Sequence, residues 1–147
     1  MRLVTCAGAT IAAAALAGCG GSSGHTWGGP PAPAADGTVS VEAFEAHRET
    51  VEEPWESSPA LVAAEFVRLG ERTAVNTSIE TSSESEGSSP TVTITLDGLL
   101  DDSVRAERWV LELEPAGGDG FRLVSVRRTQ RCQPDRGHEG FSAERCS

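Results

Sequence analysis

The chain has 147 residues, 38 % of them hydrophobic, and 22 acids against 12 arginines give a formal net charge of −10. That length suits one domain, and so acidic a chain is repelled by phosphate backbones, which disfavours nucleic-acid binding. Three Trp, four Phe and no Tyr leave little aromatic bulk, which predicts a small, aliphatic core.

The first segment, MRLVTCAGATIAAAALAGC, carries one charge, Arg2, and then an apolar run from Leu3 to Gly18. The run is shorter than the ~20 residues needed to cross a hydrocarbon core. It has the layout of a secretory signal: a charged start, an apolar middle and small residues before a cut. Its ending, Leu16-Ala17-Gly18-Cys19, resembles the lipobox of bacterial lipoprotein precursors. That resemblance implies that residues 1–18 are removed and that Cys19 is the lipidation site, carrying a diacylglyceryl group. Each buried methylene adds about 0.8 kcal/mol of membrane affinity. The protein is then expected to be exported and anchored by lipid to the outer face of the bacterial cell membrane. Cys6 lies in the discarded part.

Residues 19–39 read as the lipidated cysteine and a linker: GGSSG is flexible, and Pro30-Pro31-Ala32-Pro33 is stiffer and extended. Its reach is roughly 25 Å, with Trp27 expected as a solvated linker residue. A single domain is expected over residues 40–147. SVEAFEAHRETVEE spaces Val41, Phe44 and Val51 as on a helix, with Ser40 as cap and Pro54 as stop. SSPALVAAEFVRLG predicts a second helix, capped by Ser58, with Pro59 in its first turn. Its inward stripe is Val62, Phe66 and Leu69, and Gly70 closes it.

After Gly70 the period becomes two. Val75, Thr77 and Ile79 alternate with polar residues, as do Val92, Ile94 and Leu96, and SSESEGSSP joins these two strands. A third strand from about Val104 to Glu114 places Trp109, Leu111 and Leu113 on one face. PAGGDG turns into a fourth, FRLVSVRRTQRC, with Phe121 and Leu123 on one face and Val124 and Val126 on the other. Its inward face is left open, and burial on both sides would suit a central strand. The fold class is α+β: one or two N-terminal helices on a four-stranded antiparallel meander, with a C-terminal disulfide loop. In element order it resembles cystatin-like or nuclear-transport-factor-like rolls.

Cys132 and Cys146 remain once Cys19 carries lipid, and an exported pair of thiols oxidises. Closing that loop is worth roughly 3 kcal/mol on the chain-entropy model. Pro134 and Asp135 favour a type I turn, Gly137 and Gly140 permit positive φ, and Ser142 is placed to cap a last helical turn. Zinc is the rival, but Cys132, His138 and Cys146 follow no usual ligand spacing and lack a fourth ligand, so no metal is expected. The stretch RCQPDRGHEGFSAERC resembles the C-terminus of a group of uncharacterised bacterial lipoproteins with the pattern R-C-x-P-x-R-G-H-x₃-S-x-E-x-C. The matching residues are Arg131, Cys132, Pro134, Arg136, Gly137, His138, Ser142, Glu144 and Cys146. Many members carry Gly at the position of Asp135 and Trp at that of Phe141. The resemblance implies an envelope location and a disulfide, and no activity.

Of the remaining chemistry, His138 beside Glu139 and Arg136 offers a general base, though a hydrogen bond to the loop backbone explains it better. Asp97, Asp101 and Asp102 do not follow the EF-hand spacing and read as a solvated turn. Residues 36–102 carry a net charge of −12, while residues 103–147 carry +1. Within the latter, Arg122, Arg127, Arg128, Arg131 and Arg136 gather on the fourth strand and its loop. They form a candidate surface for an anionic envelope polymer, a lipid head group or an acidic envelope protein. Internal pairing with Glu107, Glu112 and Glu114 competes with that role. These features point to a lipid-anchored, non-catalytic binding or accessory module that needs no cofactor. A small roll-fold enzyme, or a small-ligand carrier with a pocket between helices and sheet, is the alternative.

Overall fold

The structure, a computed structural model, describes residues 27–83, 88–118 and 120–147. The expected signal peptide and lipidation site, Cys19 included, and residues 84–87 and Asp119 of the two hairpin loops lie outside them. Two helices, α1 (Glu42–Arg48) and α2 (Pro59–Val67), precede four strands: β1 (Ala74–Ser82), β2 (Thr91–Leu99), β3 (Val104–Pro115) and β4 (Phe121–Cys132). The strands form one antiparallel sheet in the order β1-β2-β3-β4. The chain is α+β, as its pattern suggests.

The helices cover one face of the sheet. Val92, Ile94 and Leu96 of β2 pair with Leu111, Trp109 and Glu107 of β3, so the alternation of each strand sends these side chains inward together. Phe44, Val62, Phe66 and Val67 meet them from the helices, all fully buried. The core is not simply aliphatic, contrary to what composition predicts. Trp27, Phe44, Trp55, Phe66 and Trp109 form a chain of ring contacts with centroids 5.1–6.4 Å apart. Few aromatic residues suffice because five of the seven are gathered in one place.

Both helices are shorter than their sequences suggest. α1 ends at Arg48, well before Pro54, which opens a separate 3₁₀ turn over Pro54–Ser57. Val41 and Ser58 hold the N-cap positions without a side-chain bond of their own, and Ser40, one residue before the first, accepts from the Glu42 N–H through its hydroxyl at 3.4 Å. Arg68 closes α2 rather than Gly70, in the left-handed region at φ 54°. Trp27 compensates for the missing glycine cap. Its indole Nε1 donates to the Phe66 carbonyl at 2.9 Å, one of the carbonyls a helix leaves unpaired at its end. Arg68 in turn donates to the Gly28 carbonyl at 3.1 Å.

The segment 27–39 is therefore part of the domain and not a solvated linker. Trp27 is 7 % exposed and Val39 2 %. Val39 donates to the Val126 carbonyl, and Arg128 donates to that of Gly37. Gly37, at φ 86°, passes so close that a Cβ would lie 2.5 Å from the Arg128 oxygen. The apolar Trp27 ring has a place to go, which composition around it conceals.

β4 resolves its inward face by a bulge. Glu112 pairs with Ser125 but Leu113 with Leu123, so Val124 is an extra residue. Leu123 and Val126 consequently both point inward, each 2 % exposed, while Val124 is 49 % exposed. The freed Leu123 N–H donates to the Glu45 carboxylate of α1 at 2.9 Å. β4 is an edge strand, not a central one, and β1 is the other edge. On β1, Ala74 packs against the core beside Leu99 and its neighbour Val75 is exposed, while Ile79, opposite Ile94 on the core-facing side, stays 43 % exposed because the short helices do not extend over it.

Replacing Trp27 by Ala should lower unfolding free energy by about 3–5 kcal/mol in denaturant titration. A change below about 0.5 kcal/mol would restore the view of Trp27 as a solvated residue.

Candidate functional site

Glu107 is the buried charged residue among those described, 7 % exposed. β3 directs it inward beside Trp109, two positions along the same face. Its carboxylate accepts hydrogen bonds from Trp109 Nε1 at 3.1 Å, from Arg128 Nη2 at 2.5 Å and from Arg72 Nη2. Arg128 comes from β4, and Arg72 from the connection between α2 and β1. Both guanidinium groups also lie over the Trp109 ring, 5.6 and 5.9 Å from its centroid. Two cations against one buried anion leave an excess of one positive charge.

Arg72, Arg128 and Trp109, with Glu107 behind them, line a cleft of about 840 Å³. One wall is the run from Pro30 to Ala35, whose prolines fix its shape in advance. The other is the C-terminal loop, from Ser142 to Cys146, with Arg145 and Glu144 among its lining residues. Arg145 makes no ion pair among the described residues. A rigid apolar wall facing an excess of guanidinium suits a flat or extended anionic ligand.

The C-terminal loop is built as a clasp. Cys132 and Cys146 are joined, with Cα atoms 5.4 Å apart. Gly137 sits at φ 138°, and a Cβ there would lie 2.9 Å from Cys132 Sγ, so the bridge itself demands glycine. Asp135 has φ 63°. With Arg136 N–H bonded to the Gln133 carbonyl, the Pro134-Asp135 turn is of type II character rather than type I. That left-handed backbone is one a residue without a Cβ adopts most easily, so glycine would suit the position. Gly140 does not adopt a positive φ, and Ser142 caps no helix. Ser142 pairs instead with Gln130 through two backbone hydrogen bonds, and its hydroxyl accepts from the Glu144 N–H.

His138 has both ring nitrogens on backbone carbonyls, Nε2 to Glu144 at 3.0 Å and Nδ1 to Gly140 at 2.7 Å. A carbonyl only accepts, so both bonds form together only on the imidazolium. The Glu144 carbonyl first, then that of Gly140, therefore raises its pKa above the usual 6.5. Ligand atoms of Cys132, His138 and Cys146 lie within 4.8 Å of one another. The two sulfurs are spent on each other and the imidazole on the loop, so the cluster works as a staple.

The five arginines on β4 and its loop do not form one surface. Arg128 faces the helices and binds Glu107, while Arg122 pairs with Glu114 and Arg131 with Asp97 at 2.8 Å, both on the other face. Arg127 is exposed near Asp36, and Arg136 is exposed in the clasp. On the second face Phe141 lies against Arg108 and Arg131, at 4.0 and 5.4 Å from ring centroid to guanidinium carbon. Asp101 turns the β2–β3 connection by accepting from Val104 and Ser103, which lowers its pKa in that order, and Asp97 is held by Arg131.

Sequence reasoning offered Glu107 as a partner for the β4 arginines, and Arg128 takes that place, but it missed Arg72 and the burial of the carboxylate. The inward parity of Trp109, Leu111 and Leu113 extends to position 107, and an inward glutamate requires a cation. Which cation depends on contacts across 35 residues. No protein-family model, curated protein or solved structure matches this chain.

Since His138 is favoured in its charged form, its contribution to the clasp is complete below pH 6.5 and lost as pH rises through the elevated folded value. The His138 ring resonances should titrate with a midpoint above 6.5, and exchange of the Cys132 amide, which donates to the His138 carbonyl, should quicken above it. A midpoint at or below 6.5 would show that the two carbonyl bonds do not govern the ring.

Proposed function

We propose that the protein is an exported bacterial lipoprotein, anchored through Cys19 to the outer face of the cell membrane, whose domain is a non-catalytic binding module for an anionic envelope polymer. The cleft carries this reading: Arg72, Arg128 and Arg145 line it in a chain whose net charge is −10. The lining offers guanidinium groups, an indole edge and backbone, the equipment of recognition. Folded chain from Trp27 onward lies eight residues from Cys19, at most about 28 Å when fully extended. The anchor would thus hold the cleft close to the membrane surface.

For the finer architecture, helices followed by a meander support a cystatin-like or nuclear-transport-factor-like roll. In such a roll an enzyme or carrier keeps its pocket between helices and sheet. Here Trp27, Phe44, Phe66 and Trp109 fill that space, which favours the binding module over those alternatives.

Detergent-extracted protein should show, by intact mass, residues 1–18 removed and a diacylglyceryl group on Cys19, and Cys19→Ala should leave the membrane fraction. Full-length wild-type mass in the soluble fraction would overturn the anchor. On immobilised poly-L-glutamate, Arg145→Gln should weaken binding about tenfold, the loss of about 1.4 kcal/mol expected for one charge-assisted contact. Unchanged binding, or none by the wild type, would overturn the assignment of the cleft.

A further inference from the structure

The two edges of the sheet are treated differently. β4 is covered twice. Val39 and Gly37 bond to Val126 and Arg128, and Ser142 pairs with Gln130. β1 is bonded to β2 along Ala74–Ser82, and among the described residues its other side forms no backbone hydrogen bond. Natural proteins blunt such an edge with proline, lysine, a bulge or a very short strand. β1 has none of these. It is nine residues long, its register against β2 is regular throughout, and Glu80 is its one charged residue.

We infer that β1 is the seam of a symmetric dimer, pairing antiparallel with β1 of a second copy about Ser78. The strand's own order makes this register self-complementary. Ser78 meets Ser78, the midpoint of the strand, so all nine residues are used. Thr77 then faces Ile79 of the other copy, Val75 faces Thr81, and Asn76 faces Glu80. Thr77, Ile79 and Thr81 lie opposite Leu96, Ile94 and Val92, which places them on the core-facing side. That side carries Ile79, an apolar group of the strand left 43 % exposed. Across the seam the two Ile79 side chains become diagonal neighbours, a separation of about 7–8 Å at which large side chains touch.

Charge also allows it. Glu80 meets a neutral amide that can donate to it, and the two Glu80 carboxylates stand four residues apart along the strands, about 14 Å. The seam therefore avoids the like-charge contact that a chain of net charge −10 would otherwise meet. About four residue pairs would exchange both backbone hydrogen bonds, given the alternation of antiparallel ladders. The resulting sheet has eight strands, within the ordinary size range.

The register gives the test. Full-length chain in detergent solution, with Cys6→Ser and Cys19→Ser to remove stray thiols, would be studied by sedimentation equilibrium and by oxidative cross-linking. A reversible dimer is expected. Ser78→Cys should cross-link to a covalent dimer, whereas Asn76→Cys should not. Ser78→Lys, which sets two cations face to face, should weaken the dimer at least tenfold. Asn76→Lys, which faces Glu80 twice across the seam, should tighten it about fivefold. A monomer across the micromolar to millimolar range would overturn the proposal and leave the edge to a different protein. Cross-linking at position 76 but not 78, or a dimer indifferent to Ser78→Lys, would overturn it equally.

Discussion

A carboxylate removed from water is tolerated only where cations and hydrogen-bond donors replace the water. Glu107 meets that condition with three donors from three places: Trp109 beside it on β3, Arg128 on β4 and Arg72 after α2. The carboxylate thus joins the far strand of the sheet to the segment that leads from the helices into β1. Trp109, held by the same oxygen, closes one end of the aromatic cluster by packing against Phe66. Core and cleft share this junction, so the two guanidinium groups at the cleft floor are aimed by a group beneath them.

The rest of the fold reads as a solution to short helices. Nine residues of α2 and seven of α1 cannot cover a sheet whose longest strands have twelve. Chain from both ends completes the work. Trp27 caps α2 and fills the space between the helices, residues 37–39 close the β4 edge, and the disulfide clasp brings Ser142 to the same edge. The walls of the cleft are these two additions, so the concave surface exists because the small core needed them. Their one-sided arrangement leaves β1 bare.

Much of this was legible from the residues. The α2 pattern, the alternation of β2 and β3, the order of helices before a meander, and the Cys132–Cys146 pair all have local causes: periodicity, proline placement, turns and thiol count. Where the sequence misled, the deciding contact was distant. Trp27 sits among glycines and prolines, and its burial depends on Phe66, 39 residues on. The bulge at Val124 reconciles Leu123 with Val126, and no residue type announces it. Ile79 stands at an inward position of its strand, yet the layer that would bury it ends too soon. The arginines of β4 were visible as a group, but strand parity separates Arg128 from Arg131, and each finds its acid on a different face.

Equilibrium unfolding of Glu107→Gln tests the central junction most directly. Loss of a buried ion-pair partner costs about 3–5 kcal/mol when the cations stay buried, and the part-exposed arginines here place the expected loss near the lower figure, ~3 kcal/mol. Combining it with Arg128→Gln should give far less than the sum of the two single losses, because the pair acts as one unit. A Glu107→Gln protein within about 0.5 kcal/mol of the wild type, with additive double-variant energies, would contradict the account.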